Sequence, residues 1–164
     1  MTRSEKFEYV INHWFLQDGR VYSKRYGKPV SFCCVDKDGY RKNRVHSGKR
    51  HIDIWEHEAV FMLHYNRLVG EGMQIHHIDG NKLNNHPSNL VELTQKQHRR
   101  IHVYQCDDPL RGICFVGTAW KFRWYDDEGH KHYKSFYEIN EAMQFRAEIE
   151  EPRRAELRAL GLDC

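Results

Sequence analysis

An α+β fold is predicted by three features of the 164-residue sequence. Short alternating runs in the first third are cut by Asp-Gly turns, a strong hairpin signal. Two later stretches of helical periodicity each follow a capping-box pattern. A strand, a second strand and a helix then fit within about forty residues near the C-terminus.

In chain order, Val10-Ile11-Asn12-His13-Trp14-Phe15 reads as a strand before a Gln17-Asp18-Gly19 turn. Arg20–Ser23 follows, then Tyr26-Gly27-Lys28-Pro29, then a strand over Val30–Val35. Asp38-Gly39 turns into Tyr40–Val45, and Ser47-Gly48 into Arg50–Ile52. Asp53 with Glu56 forms a capping-box pattern ahead of Trp55, Ala59, Met62/Leu63 and Asn66, a helix closed by Gly70 and Gly72. Residues 73–93 are short strands around the polar loop 79–87. A second helix starts near Thr94, whose box is completed by Gln97, and runs to about Tyr104. Asp107-Asp108-Pro109 is the best linker, since proline blocks continuation of that helix, so the expected parts are 1–106 and 107–164. Beyond it, Trp120–Tyr125 alternates, Asp126–Gly129 turns, His130–Phe136 returns, and 138–150 is an amphipathic helix. Glu151–Cys164 is expected as a short exposed helix.

Composition excludes several classes. With 40% hydrophobic and 30% charged residues and a mean hydropathy of −0.84, no apolar run approaches the roughly 18 residues of a spanning helix. The first residues lead into no apolar stretch, so no signal peptide is expected. Aromatic residues at 13% exclude wholesale disorder. The five cysteines form no C-x-x-C pair and read as unpaired thiols of a reducing compartment. Charge is segregated: residues 20–50 hold ten Lys/Arg against two Asp, whereas 141–164 hold six acidic against four basic residues. A basic segment threaded with Tyr22, Tyr26 and Tyr40 suits a polyanion with stackable bases.

Histidine is the anomaly. Eight of the 12 fall between residues 51 and 102. His98 and His102 stand at i and i+4 on the second helix, so both imidazoles project from one face, a usual way to offer two nitrogens to one metal. His76 and His77 are neighbours on a strand and point to opposite faces. One can join the helical pair while the other serves elsewhere, for instance as a base acting on water. His57 and His64 are expected beside the site without entering it, and His86 to cap the turn before Pro87.

The run Ile75-His76-His77-Ile78-Asp79-Gly80-Asn81-Lys82-Leu83-Asn84-Asn85, then Ser88-Asn89-Leu90, then His98, resembles the HNH nuclease family. More narrowly, it is similar to the ββα-metal homing endonucleases of phages, over roughly residues 14–102. The resemblance implies His77 as general base, His76 as the first metal ligand and His98 as the last. Asn89 matches the central asparagine that steadies the metal loop and the base. His102 matches an additional histidine of bacteriocin-type relatives. With histidine at both main ligand positions, the shell departs from the family by lacking a carboxylate. Imidazoles favour Zn²⁺, Ni²⁺ or Mn²⁺, whereas a Mg²⁺ sphere would be completed by phosphate and water oxygens. A divalent ion, Mg²⁺ or Mn²⁺ in use, is the expected cofactor.

Residues Gly112-Ile113-Cys114-Phe115, Trp120–Tyr125 and Phe136 with Glu141-Ala142 resemble the ethylene-response-factor type of DNA-binding domain. That resemblance implies a three-stranded sheet lying in the major groove. Alternation puts Trp120, Phe122 and Trp124 under the helix and Lys121, Arg123 and Tyr125 on the other face.

The resemblances together imply a metal-dependent endonuclease on double-stranded DNA, of the phage homing type, acting in the cytoplasm of a bacterial host and leaving 5′-phosphate and 3′-hydroxyl ends. Expected DNA contacts are Lys24, Arg25, Arg41, Lys42, Arg44, Lys82, Lys121 and Arg123. A non-specific nuclease on the same motif and a DNA-binding regulator with a structural metal are the alternatives. Three histidine ligands leave a coordination position open, which favours catalysis over a structural metal. Monomer and homodimer both stay open, since no heptad or exposed stripe decides between them.

Overall fold

The computed structural model describes residues 2–47, 50–106 and 108–164. Gly48 of the expected Ser47-Gly48 turn, Lys49 of the basic segment and Asp107 of the expected linker lie outside the described residues. The chain divides into two compact units, one ending at Arg99 and one beginning at Arg100.

The first unit opens with a helix that the sequence reading takes for the start of a strand. Helix α1 (Arg3–His13) begins at a reciprocal box: Thr2 Oγ1 accepts from the Glu5 amide at 3.3 Å, and Glu5 Oε2 accepts from the Thr2 amide at 2.7 Å. It keeps Val10 to His13 helical, and only Trp14 and Phe15 of the expected strand enter β1 (Trp14–Gln17). β1 pairs antiparallel with β2 (Arg20–Ser23). Asp18 and Gly19 between them both have positive φ, 48° and 72°, the geometry that matches a two-residue turn to strand twist.

β3 (Cys34–Val35), β4 (Arg41–Ser47) and β5 (Arg50–Trp55) form an antiparallel sheet in that order. The strand expected over Val30–Val35 contracts to its last two residues. Asp53 does not cap a helix. It lies within β5 and accepts from Lys42 Nζ (2.7 Å) and from Arg44 Nε and Nη2 (2.7 and 3.0 Å) across the β4–β5 pair. These contacts hold its carboxyl well below the ordinary range, the Arg44 hydrogen bond foremost.

Helix α2 (Glu56–Tyr65) therefore starts one residue after the strand ends. It closes at Asn66, whose φ is 50°, rather than at Gly70 or Gly72. Ala59, Val60, Phe61 and Met62 are all buried, so this helix is apolar around its circumference and forms the centre of the unit. Val10, Trp14, Val21, Ile52, Ile54 and Leu90 pack in the same cluster.

β6 (Met73–His77) and β7 (Leu90–Thr94) make the last hairpin of this unit, with a short 3-10 turn at Pro87–Asn89 between them. Helix α3 (Gln95–Tyr104) follows directly. Its expected capping box is present: Gln97 N donates to Thr94 Oγ1 at 3.1 Å, and Thr94 N donates to Gln97 Oε1 at 2.9 Å. The division between units falls inside this helix, between Arg99 and Arg100.

In the second unit β8 (Ile113–Val116), β9 (Ala119–Tyr125) and β10 (Lys131–Phe136) form an antiparallel sheet with β9 in the middle. Helix α4 (Ile139–Ala159) covers one face, where Phe122, Ile113 and Ala142 are buried with Trp120, Trp124 and Phe145 beside them. The helix is longer than expected. It runs unbroken through Pro152 and takes in most of the stretch read as a separate exposed helix, burying Leu157 on the way. Buried Glu150 accepts from Arg111 Nη2 at 2.7 Å on both oxygens and from Arg154 at 3.1 Å. Arg111 and Arg154 also lie over the buried ring of Tyr104, at 5.4 and 4.5 Å. These contacts, all within the second unit, explain why the end of α3 belongs to it rather than to the first.

Phe122 is the largest side chain buried in this small core, at 2% exposure. Phe122→Ala should destabilise the second unit by about 3–5 kcal/mol. Amide exchange would then accelerate in β8 and β9 and stay unchanged in β4 and β5. Equal exchange in both sheets would contradict the assignment of separate cores.

Candidate active site

β6 separates its two histidines. His76 and His77 are both buried, at 6% and 4% exposure, yet they meet different neighbours, as strand alternation requires. His76 faces His98, with ring centroids 5.2 Å apart and planes near perpendicular. His102 lies one turn beyond His98 on the same helix, and the ring nitrogens of His76, His98 and His102 offer ligand atoms all within 4.8 Å of one another. Three imidazoles so placed could hold one divalent ion and leave at least one coordination position open.

His77 turns the other way and meets the loop between β6 and β7. Its Nε2 lies 2.9 Å from Asn85 Oδ1, and Asn85 Nδ2 donates to Glu56 Oε2 at 2.8 Å. A carboxylate only accepts, so the Asn85 amide presents its NH₂ to Glu56 and its oxygen to His77. The proton of neutral His77 is thereby assigned to Nε2, and Nδ1 is left as the acceptor. Glu56 comes from the first turn of α2, which braces the histidine from outside the hairpin.

Asn89 ties the same loop. Its Oδ1 accepts from the Asp79 amide at 3.0 Å, and its Nδ2 donates to Asp79 Oδ1 and to the Asn84 carbonyl, both at 2.8 Å. Asn84 and Asn89 side chains and the Asn81 amide, in that order, hold the Asp79 carboxyl below its ordinary range. Asn89 is buried, so its three bonds replace water that the loop excludes.

Two further rings close around His77. His57 stands 5.6 Å away and Tyr40 6.0 Å away, and the two lie 4.9 Å apart. Burial, with the nearby His77 charge second, pushes the His57 imidazole down to about 4, so it is neutral at neutral pH. Tyr40 and His57 also line a cavity of about 560 Å³, together with Trp55, Ile75 and His98 among others. Sequence reasoning gave Asn85 no role, took Glu56 for half of a helix cap and Tyr40 for an aromatic ring of the basic segment, and placed His57 beside the site. Only the Asn84-Asn85 doublet in the polar loop carries a sequence signal, because the others arrive from α2 and from the residue just before β4. His64 is exposed at the end of α2 against Tyr65, away from this group. His86 caps the short turn, its Nδ1 lying 2.8 Å from Ser88 Oγ.

The basic residues singled out from sequence fall into two groups. Lys42 and Arg44 are engaged by Asp53, Lys24 donates to the Ile11 carbonyl at 2.6 Å, and Lys82 donates to the Asp38 carbonyl at 2.8 Å and lies over Tyr40. Arg25 and Arg41 are exposed. In the second unit, Lys121 and Arg123 stand on the sheet face opposite α4, with Lys121 over the exposed ring of Tyr133.

The His57 environment gives a signed pH dependence. Its folded value of about 4 lies below the usual value near 6.5, so the unfolded chain binds the extra proton and stability falls as pH drops from about 6.5 toward 4. Between pH 7 and pH 5 this group alone should cost on the order of 2 kcal/mol. His57→Gln should flatten that interval in thermal unfolding, and an unchanged slope would contradict the burial of a neutral ring.

Residues 50–100 match the family described as HNH endonuclease. Over 95 residues the chain is 35% identical to an uncharacterized HNH endonuclease, L245, of Acanthamoeba polyphaga mimivirus, across 56% of this chain and 27% of that protein. Over 78 residues it is 36% identical to DNA endonuclease I-HmuI of Bacillus phage SP01, across 48% of this chain and 44% of that protein. A solved structure of DNA binding and cleavage by the HNH homing endonuclease I-HmuI aligns over 81% of this chain and 76% of that one, with 24% identity and a TM-score of 0.47. The chain thus spans less than half the length of either curated relative. The segment that matches the HNH endonuclease family, residues 50–100, contains His76, His77, Asn89 and His98.

Proposed function

We propose that this chain is a metal-dependent endonuclease that hydrolyses phosphodiester bonds of double-stranded DNA, with His77 as general base. The observation that carries the reading is the division of labour on β6: His76 joins His98 and His102, while His77 is held by Asn85 on the other side. His76, His98 and His102 would hold the ion, and three imidazoles fit a borderline divalent metal with room for phosphate and water oxygens. When bound, the ion supplies positive charge to the phosphate and to the departing 3′ oxygen.

The remaining chemistry belongs to the chain. His77 takes a proton from the attacking water at Nδ1, since Nε2 already donates to Asn85. The Asn85–Glu56 pair holds the ring in that tautomer and stabilises the imidazolium that forms. Asn89 keeps loop 79–85 in place beneath it. His57, neutral and enclosed, adds no competing positive charge next to the base.

The similarity to DNA endonuclease I-HmuI of Bacillus phage SP01 supports DNA as the substrate. On this reading the enzyme is site-recognising, of the homing type, and acts in a bacterial host cell. In the second unit, the open sheet face carries Lys121, Arg123 and Lys131 with Tyr125 and Tyr133, which are 60% and 68% exposed. Basic groups beside exposed aromatic rings suit a DNA groove, and arginine suits guanine. This face would supply the sequence preference. Arg25 and Arg41 of the first unit would add phosphate contacts and a steep salt dependence.

Supercoiled-plasmid cleavage tests the reading with Mg²⁺, Mn²⁺ and Zn²⁺ each set against EDTA. His77→Ala should lose about 10²- to 10⁴-fold in rate while still shifting DNA on a gel. Asn85→Ala should lose about 10- to 100-fold, the range seen when a group orienting a working histidine is removed. A His77→Ala protein that cuts like wild type would overturn the base assignment. DNA binding without cleavage under every metal would make the histidine site structural.

A further inference from the structure

Among the described residues a second gathering of metal-ligating side chains lies at the turn joining β9 to β10. One ligand atom from each of Asp126, Glu128 and His130 falls within 4.8 Å of the others. His132, two residues past His130, places Nε2 2.7 Å from Asp126 Oδ2, the same oxygen that His130 Nδ1 approaches at 3.2 Å. Two imidazoles from one strand end therefore converge on one carboxylate oxygen from the other.

The turn prepares this arrangement. Asp126 Oδ1 accepts from the Glu128 and His130 amides at 3.0 and 2.8 Å, which fixes the carboxylate and leaves Oδ2 directed at the imidazoles. His132 is stacked on Trp124, with centroids 5.4 Å apart and planes at 24°. Neighbouring Asp127 is engaged by Arg100 and Arg153 and does not compete. Ligand atoms on tetrahedral zinc, with bonds of about 2.0–2.2 Å, stand roughly 3.4 Å apart, so small side-chain rotations suffice. A set of two imidazoles and a carboxylate selects borderline ions over Mg²⁺.

We propose that the β9–β10 turn is a second divalent-metal site, in which Asp126, His130 and His132, with Glu128 as a further donor, take an imidazole-preferring ion of the Zn²⁺ class. The site clips together the two sides of the turn that closes this hairpin. It shares no residue with the His76 group and does not depend on the nuclease reading.

Zn²⁺ alone, titrated calorimetrically into the full chain, tests this with two double variants. The His98→Ala/His102→Ala chain should still take up one equivalent at the turn. The His130→Ala/His132→Ala chain should lose that equivalent, and Asp126 is left intact there so that the turn still closes. In the His98→Ala/His102→Ala background, Ni²⁺ should quench part of the tryptophan emission through Trp124, and His132→Ala should remove the quench. No Zn²⁺ uptake by the His98→Ala/His102→Ala chain overturns the proposal, whether or not the turn variant folds. Unchanged uptake by the turn variant overturns it as well.

Discussion

Adjacent residues on a strand cannot face the same way, and the chemistry of this chain is arranged around that constraint at His76 and His77. The β6–β7 ladder pairs His76 with Val91 and His77 with Leu90, so the register of one hairpin decides which imidazole meets which partners. The same ladder ends at Thr94, paired with Met73, and Thr94 caps α3. The cap in turn sets the phase of His98 and His102. A one-residue slip would exchange the two faces of β6 and send His77 toward α3.

Around His77 the structure replaces water with a short polar chain. Buried asparagines are tolerated where their amides are satisfied, and Asn85 and Asn89 meet that condition in different ways. Asn89 works within the loop, binding Asp79 and Asn84. Asn85 reaches out to Glu56 and so couples the loop to α2, the most buried helix of the unit. A hydrogen bond to a charged partner is worth about 1.5–3 kcal/mol, enough to hold one rotamer and one tautomer against alternatives.

Much of this was legible from local patterns. The Thr94–Gln97 box, the Asp18-Gly19 and Asp38-Gly39 turns and the alternation of Trp120–Tyr125 each depend on residues a few positions apart, and each appears in the structure. The misses have non-local or competing causes. Asp53 fits a helix cap by spacing, but Lys42 and Arg44 across the sheet take its carboxylate into β5. The Val10–His13 run has a strand-like composition, yet the Thr2–Glu5 box upstream commits it to a helix. The helix expected over 138–150 runs on through Pro152 into the stretch read as a separate one, with Glu150 tied to Arg111 before the proline and Leu157 buried after it. His57, Tyr40 and Glu56 could not be assigned to His77 from spacing, because only the packing of α2 and of the chain entering β4 brings them there.

The most direct test of the account is the ¹⁵N–¹H correlation of the histidine imidazoles in the full chain, recorded before and after Zn²⁺ is added. The His76, His98 and His102 nitrogens should shift on addition, while His77 keeps a protonated Nε2 and a bare Nδ1 throughout. A His77 that carries its proton on Nδ1, or that shifts as a ligand alongside His98, would contradict the separation of roles on β6.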